Sequence, residues 1–127
     1  MAVDVKRILV AEDEVALAEA IKGWFEFMDD FNKAEIVLAH TAEDTENGIM
    51  TLQPDITILD LGLGDGLRGL SILKKVRGML PDRCKIFIHS GYMEHRDECM
   101  TAGATDFFDK KLSFNDMIGS IRRHMTA

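Results

Sequence analysis

The segment ITILD, residues 56–60, decides how this chain folds. Four β-branched or apolar residues are typical of a buried strand, and the run ends in the carboxylate of Asp60. Three further runs end in polar groups: residues 8–11 before Glu12 and Asp13, residues 86–88 before His89 and Ser90, and residues 106–108 before Asp109 and Lys110. Because the carboxyl ends of parallel strands meet at one edge of an α/β sheet, we expect these groups to share one crevice.

Size and composition are those of an ordinary globular domain. The chain has 127 residues, of which 46% are hydrophobic and 29% charged, and we expect one domain over residues 1–127. A net charge of -7 disfavours direct nucleic-acid binding. Neither a signal peptide nor an apolar run near the ~18 residues of a membrane span is present, and the two cysteines show no metal-site spacing. These features predict a cytoplasmic protein with no membrane partner.

Strand and helix patterns alternate five times along the chain. Strands are predicted over residues 6–11, 34–39, 55–60, 85–89 and 105–108. Helices are predicted over residues 14–28, 67–79 and 93–102, between the N-cap Thr41 and Pro54, and after the N-cap Ser113. This alternation predicts a parallel sheet with helices on both faces, and the chain ends soon after the fifth helix, with no room for an effector domain.

The acidic residues at the strand ends have two interpretations. Glu12 and Asp13 could simply begin a helix, where negative charge favours the N-terminal dipole. With Asp60 in the adjacent strand, however, three carboxylates would repel one another unless a cation lies among them. Hard oxygen ligands of this kind favour Mg²⁺ or Mn²⁺.

Asp60, Ser90 and Lys110 together suit phosphoryl chemistry. An aspartate can form an acyl phosphate, and a lysine can stabilise the charge on the transferring group. A serine hydroxyl can donate a hydrogen bond to a phosphoryl oxygen. Taken singly, each residue has a plainer interpretation, as a turn aspartate, a turn serine and a surface lysine.

Two other kinds of site are disfavoured. A dinucleotide fingerprint would need its third glycine at Leu67, so the glycines of segment 62–66 are interpreted as allowing a close backbone approach to a ligand. A serine hydrolase is disfavoured because His89 and Ser90 are neighbours on a strand and must point to opposite faces.

In order and spacing, these residues resemble the receiver domain of a two-component response regulator. The resemblance covers residues 8–125. The matching positions are the acidic pair Glu12 and Asp13, the phospho-accepting Asp60, Ser90 followed by Gly91, and Lys110 after segment 103–107. Asp60 and Ser90 are thirty residues apart, as in typical members.

The resemblance implies a flavodoxin-like, doubly wound, five-stranded parallel sheet of order 2-1-3-4-5 with five helices. It implies Mg-dependent phosphoryl transfer from a histidine kinase phosphohistidine to Asp60, followed by self-dephosphorylation, and not turnover as an enzyme. The Gly62 carbonyl would complete the metal site. Ser90 and Phe107 would be switch residues: a shift of Ser90 opens space for Phe107 to turn inward, which changes the face formed by helix 4, strand 5 and helix 5.

The implied partners are a sensor histidine kinase or a histidine phosphotransfer protein, a downstream protein target and, on phosphorylation, a second copy of the chain. Two alternatives stay open: a phosphate-independent receiver-like binding module, and the receiver part of a longer transcriptional regulator. A haloacid-dehalogenase-like phosphatase is disfavoured, because Gly62 stands where those enzymes carry a second aspartate.

The chain departs from the family pattern at several positions. Lys111 replaces the usual proline after the lysine, and Gly64 replaces a frequent proline, which predicts a looser loop after Asp60. Phe107 lacks the hydroxyl of a tyrosine. Gly62 and Tyr92 occupy the positions that tune phosphate lifetime in the family, and Tyr92 is expected to shield the phosphate.

Overall fold

A computed structural model of the protein describes residues 4–64, 66–112 and 114–125. Its sheet has five parallel strands in the order β2-β1-β3-β4-β5, which confirms the predicted order. The strands are β1 (Arg7–Ala11), β2 (Glu35–Ala39), β3 (Ile56–Leu59), β4 (Lys85–Ser90) and β5 (Asp106–Asp109). Because each strand is four to six residues long, the sheet edge that carries the polar groups is compact.

Five α-helices alternate with the strands in the described residues, as predicted. They are α1 (Val15–Phe27), α2 (Ala42–Leu52), α3 (Arg68–Val76), α4 (Arg96–Thr101) and α5 (Phe114–Met125). The predicted third and fourth helices are each divided, with 3₁₀ turns at Arg77–Met79 and Met93–His95. Such turns are common at helix ends, where intrahelical hydrogen bonds tighten.

One of the two predicted N-caps can be checked. Thr41 precedes α2, and its side-chain oxygen accepts a hydrogen bond from the Asp44 N–H at 3.1 Å. This confirms Thr41 as the N-cap, a position where a hydroxyl satisfies an otherwise unpaired helix amide. The other predicted cap, Ser113, lies outside the described residues.

Two hydrophobic layers cover the sheet, because alternate strand residues point to opposite faces. On β5, Phe107 joins the core beneath α2, α3 and α4, whereas Phe108 joins the core beneath α1 and α5. On β1, Leu9 lies in the first of these layers and Val10 in the second, and both are fully buried. The strands are therefore continuous apolar runs, as strands covered on both faces should be.

Backbone hydrogen bonds extend the sheet past the ends of its strands. The Glu12 N–H donates to the Ala39 carbonyl at 3.0 Å, and the Asp60 N–H donates to the Ala11 carbonyl at 3.0 Å. The Lys110 N–H donates to the Ser90 carbonyl at 3.1 Å. These bonds bring three of the predicted site residues to the same edge before any side-chain contact is considered.

Gly69 lets α3 approach the backbone after β3. Its N–H donates to the Leu61 carbonyl at 2.9 Å. A Cβ atom at Gly69 would lie 2.1 Å from the Asp60 carbonyl oxygen and 2.7 Å from the Leu61 Cα. Backbone atoms cannot rotate away as a side chain can, so only glycine fits here.

We predict that Gly69→Ala destabilises the fold by about 1–3 kcal/mol, the usual cost of forcing an extra methyl group into packed structure. Gly78→Ala is the matched control, because a Cβ there meets nothing within 4 Å. Urea denaturation would measure the free energy of unfolding of both variants. Equal stability of the two variants would contradict the close-approach argument.

Candidate functional site

Three carboxylates meet at the edge of the sheet. Glu12, Asp13 and Asp60 each offer an oxygen, and these atoms lie within 4.8 Å of one another. Glu12 and Asp60 are only 2% and 4% exposed, whereas Asp13 is exposed. Like charges at this separation repel strongly in a partly buried site, so the cluster needs a positive partner.

Lys110 supplies one positive charge to this cluster. Its Nζ atom lies 2.7 Å from Glu12 Oε1 and 3.3 Å from Asp60 Oδ2. Burial by itself would lower the pKa of Lys110, but the neighbouring Glu12 and Asp60 raise it above its usual value. The lysine is therefore cationic at neutral pH and offsets one of the carboxylate charges.

Glu12 has an unusual protonation equilibrium. Burial raises the pKa of Glu12 from 4.5 to about 7, and the Asp60 charge adds to that rise, while Lys110 and the Glu14 N–H oppose it. Its Oε1 atom is fully buried and, apart from the ion pair with Lys110 at 2.7 Å, has no partner in the described part of the chain. A buried carboxylate oxygen of this kind can take a further cation.

These observations test whether a divalent cation fits. Three carboxylates and one lysine leave an excess of negative charge, and all the donors are hard oxygens, as Mg²⁺ and Mn²⁺ prefer. The residues at this edge therefore fit such an ion. The orientation of the Gly62 carbonyl toward it stays a prediction.

Ser90 ends β4, one residue beyond the predicted strand end, and is fully buried. Its Oγ accepts a hydrogen bond from the Tyr92 N–H at 2.9 Å, so its hydroxyl proton remains available to donate. No hydrogen bond joins Ser90 to Asp60 among residues 4–64, 66–112 and 114–125. The structure thus brings Glu12, Asp13, Asp60 and Lys110 into one cluster and leaves Ser90 at the end of the strand beside it.

The side of Asp60 next to Gly62 carries no side chain. A Cβ atom at Gly62 would lie 3.5 and 3.6 Å from the two carboxylate oxygens of Asp60, and 3.8 Å from Cε2 of Tyr92. The ring of Tyr92 therefore borders the same space. Any side chain at position 62 would occupy the approach to the Asp60 carboxylate.

Phe107 is 6% exposed and packs in the core beneath α2, α3 and α4. It lies beside Ile88 of β4, two residues before Ser90 and on the same face of the sheet. The side chain is therefore buried in this structure, and its inward turn after a shift of Ser90 stays a prediction. A phenylalanine favours burial more than a tyrosine does, because it has no hydroxyl that must find a partner.

The loop after Asp60 contacts both the core and Asp13, and its looseness relative to a loop with proline stays a prediction. Leu61 and Leu63 are fully buried, and the Gly64 N–H donates to Asp13 Oδ2 at 3.1 Å. The two leucines anchor the loop, and the alternation of leucine and glycine in the sequence could have signalled this. The role of Gly69 was also missed, because a clash with backbone atoms distant in sequence leaves no local pattern.

His89 and Ser90 do point to opposite faces, as predicted. His89 lines a small cavity of about 60 Å³ beneath α1 and α5, together with Trp24 and Phe114. Burial lowers the pKa of His89 to about 4, and the Lys110 charge lowers it further, so the imidazole is neutral at pH 7. Its proximity to Ser90 in sequence therefore has no catalytic meaning.

A family comparison agrees with this geometry. The sequence model of the response regulator receiver domain matches residues 8–122. The chain belongs to this family. Curated protein sequences include no significant match to this chain. Among residues 4–64, 66–112 and 114–125, no helix combines the length and apolar character that crossing a membrane requires.

Solved receiver structures are similar over nearly the whole chain. A CheY-like receiver domain protein from Methanospirillum hungatei shares 25% identity at a TM-score of 0.83, covering 96% of this chain and 94% of that one. A signal receiver domain from Bermanella marisrubri shares 26% identity at a TM-score of 0.81, covering 97% and 100%. NtrX from Brucella abortus shares 26% identity at a TM-score of 0.80, covering 98% of this chain and 27% of that one.

We predict that the receiver domain loses stability as the pH rises toward 8, through Glu12. Because its folded pKa is raised from 4.5 to about 7, the native state binds more protons than the unfolded state between these values. The stabilising contribution is thus complete below pH 4.5 and lost as the pH passes 7. The shift from 4.5 to about 7 corresponds to roughly 3 kcal/mol.

Urea denaturation at pH 5 and pH 8 would measure this loss in the wild type and in Glu12→Gln, which has no such titration. The difference between the two proteins isolates Glu12, because both retain His89, whose lowered pKa gives the opposite slope below pH 6.5. Parallel pH profiles for the two proteins would contradict the prediction.

Proposed function

We propose that this receiver domain accepts a phosphoryl group on Asp60 from the phosphohistidine of a histidine kinase or a phosphotransfer protein. The observation that carries the proposal is the arrangement around the Asp60 carboxylate. One oxygen lies 3.3 Å from the Lys110 ammonium, two further carboxylates lie beside it, and the side next to Gly62 is open. A buried carboxylate beside an ammonium group, with open space on its other side for a phosphoryl donor, suits Asp60 as an ionised nucleophile.

In the proposed reaction, an oxygen of Asp60 forms a bond to phosphorus while the bond from phosphorus to the imidazole nitrogen breaks. The electron pair of that bond leaves with the histidine. Glu12, Asp13, Asp60 and the Gly62 carbonyl would hold Mg²⁺ or Mn²⁺, which would offset the negative charge gathered at the site. Water then cleaves the acyl phosphate and restores the carboxylate, so the domain acts as a phospho-acceptor and not as a turnover enzyme.

Lys110 and Ser90 have separate roles in this proposal. Formation of the acyl phosphate removes the carboxylate charge of Asp60, so the Lys110 ammonium, which keeps its contact with Glu12, can turn to a phosphoryl oxygen. The Ser90 hydroxyl can donate a hydrogen bond to another phosphoryl oxygen. Both contacts favour the charged, phosphorylated form over the free one.

The proposed output passes through Ser90 and Phe107 to the face of α4, β5 and α5. Ser90 pairs with Asp109 across the β4–β5 ladder. Phe107 packs beneath α4, a helix of only six residues. A short helix is readily shifted, because few contacts hold it. Phosphorylation would bias this face toward one of two existing arrangements for a downstream protein or a second copy of the chain.

We place residues 1–127 in a single receiver domain that works in the cytoplasm, without direct nucleic-acid or membrane contact. The reduced, buried thiols of Cys84 and Cys99 support a reducing compartment. The similarity to 27% of the NtrX chain supports the alternative that the same domain works within a longer regulator.

We predict that wild-type protein gains one phosphoryl group when incubated with Mg²⁺ and acetyl phosphate, and that Asp60→Asn gains none. The amide is a poor nucleophile and cannot form the acyl phosphate. Intact mass spectrometry would measure the gain, and a chelator should abolish it. Labelling of Asp60→Asn equal to that of the wild type would overturn the proposal.

The adjacent lysines provide a matched pair for the same assay. Lys110 contacts Glu12 and Asp60, whereas Lys111 is exposed. Lys110→Ala should slow phosphorylation strongly, and Lys111→Ala should leave it unchanged. Equal effects of the two changes would remove Lys110 from the proposed site.

We predict that Tyr92→Ala shortens the lifetime of phosphorylated Asp60 several-fold, because the ring borders the open space beside Gly62. Removing it gives water freer access to the acyl phosphate. Tyr92→Phe, which keeps the ring, should behave as the wild type. The rate of phosphate loss after donor removal is the measurement, and an unchanged rate in Tyr92→Ala would contradict a shielding role.

A further inference from the structure

Each of the three site carboxylates receives one backbone hydrogen bond. The donors to Glu12 Oε2, Asp60 Oδ1 and Asp13 Oδ2 are the amides of Glu14, Gly62 and Gly64, each at 3.1 Å. The Glu14 and Gly62 amides lie two residues from the carboxylates they bind. The Gly64 amide is different, because it reaches a carboxylate 51 residues away in the chain.

Asp13 depends on this bond more than its neighbours depend on theirs. Glu12 and Asp60 are buried, and Lys110 contacts both. Asp13 is exposed, so little packing limits its side-chain rotamers. The Gly64 amide bonds to its ionised form and lowers the pKa of Asp13 below its usual value.

The backbone that presents the Gly64 amide is held in an uncommon conformation. Leu63, Gly64 and Gly66 have φ angles of 28°, 84° and 69°, all in the left-handed region. The burial of Leu61 and Leu63 offsets the conformational cost at Leu63 and fixes the loop against the core. The amide is thus positioned by tertiary packing.

We propose that Gly64 is a positioning residue for the divalent cation. Its left-handed amide holds one oxygen of Asp13 and so fixes this carboxylate beside Glu12 and Asp60, and the buried leucines keep that amide in place. The loop after β3 therefore sets the affinity of the receiver domain for its cation. This inference rests on the proposed metal-dependent function.

Two glycines of the same loop allow a matched test. Gly64 and Gly66 are both left-handed, and a Cβ at either meets nothing within 4 Å, so an alanine brings similar backbone strain to both. Only Gly64 donates to Asp13. Calorimetric titration with Mn²⁺ should show Gly64→Ala binding about tenfold more weakly, the fold-change for a hydrogen bond to a charged group. Gly66→Ala should stay within about twofold.

A double variant tests whether the effect passes through Asp13. In an Asp13→Ala background, which has no side-chain acceptor for the Gly64 N–H, Gly64→Ala should cause almost no additional loss of Mn²⁺ affinity. If Gly64→Ala proves too strained to fold, Gly64→Asn provides the test, because asparagine tolerates the left-handed region and should keep near wild-type affinity. Urea denaturation of each variant separates affinity from stability.

Three results would overturn the inference. Equal loss in Gly64→Ala and Gly66→Ala would show general loop strain, and a full tenfold loss in the Asp13→Ala background would show an effect independent of Asp13. Near wild-type affinity in Gly64→Ala would show that the left-handed glycine conformation at position 64 does not set the cation affinity. All three leave the proposed function intact if the wild type binds Mn²⁺, whereas failure of the wild type to bind would remove both.

Discussion

The ion pairs of Lys110 with Glu12 and Asp60 are the interaction on which the rest of the site depends. They hold a cation against two buried carboxylates that would otherwise repel each other. Lys110 reaches this position because its N–H continues the ladder from β4, and Asp60 does so because its N–H continues the ladder from β1. Backbone hydrogen bonds therefore place these charges together, and a single lysine does not neutralise all three carboxylates. That remaining negative charge explains why the residues fit a divalent cation.

The loop after β3 meets three requirements at once. It keeps the approach to Asp60 open at Gly62, it supplies amides to two carboxylates, and it passes under the first turn of α3 at Gly69. The buried Leu61 and Leu63 provide the apolar contacts that such a glycine-rich segment would otherwise lack. The glycines allow the left-handed backbone conformations of this loop, and the buried leucines hold the loop against the core.

The pleat of the sheet separates two environments that are adjacent in sequence. Ser90 and Phe107 lie on the face covered by α2, α3 and α4, whereas His89 and Phe108 face α1 and α5. A change at Asp60 that moves Ser90 would therefore act on the first layer, and the neutral His89 would remain a packing residue. Phe107 is buried beneath α4, so a change in its position would act on the contacts of that helix.

The sequence by itself determined the alternation of strands and helices and the edge where the reactive groups gather, because hydrophobic periodicity and strand ends are local features. The strand order followed from the resemblance to receiver domains. The sequence also identified Glu12, Asp13, Asp60 and Lys110, whose places follow directly from those strand ends. Only the tertiary structure decided the Asp13–Gly64 bond, the need for glycine at position 69, the anchoring of the loop and the raised pKa of Glu12. Each of these depends on atoms distant in sequence, on their separation and on the water excluded around them, and no local pattern records such quantities.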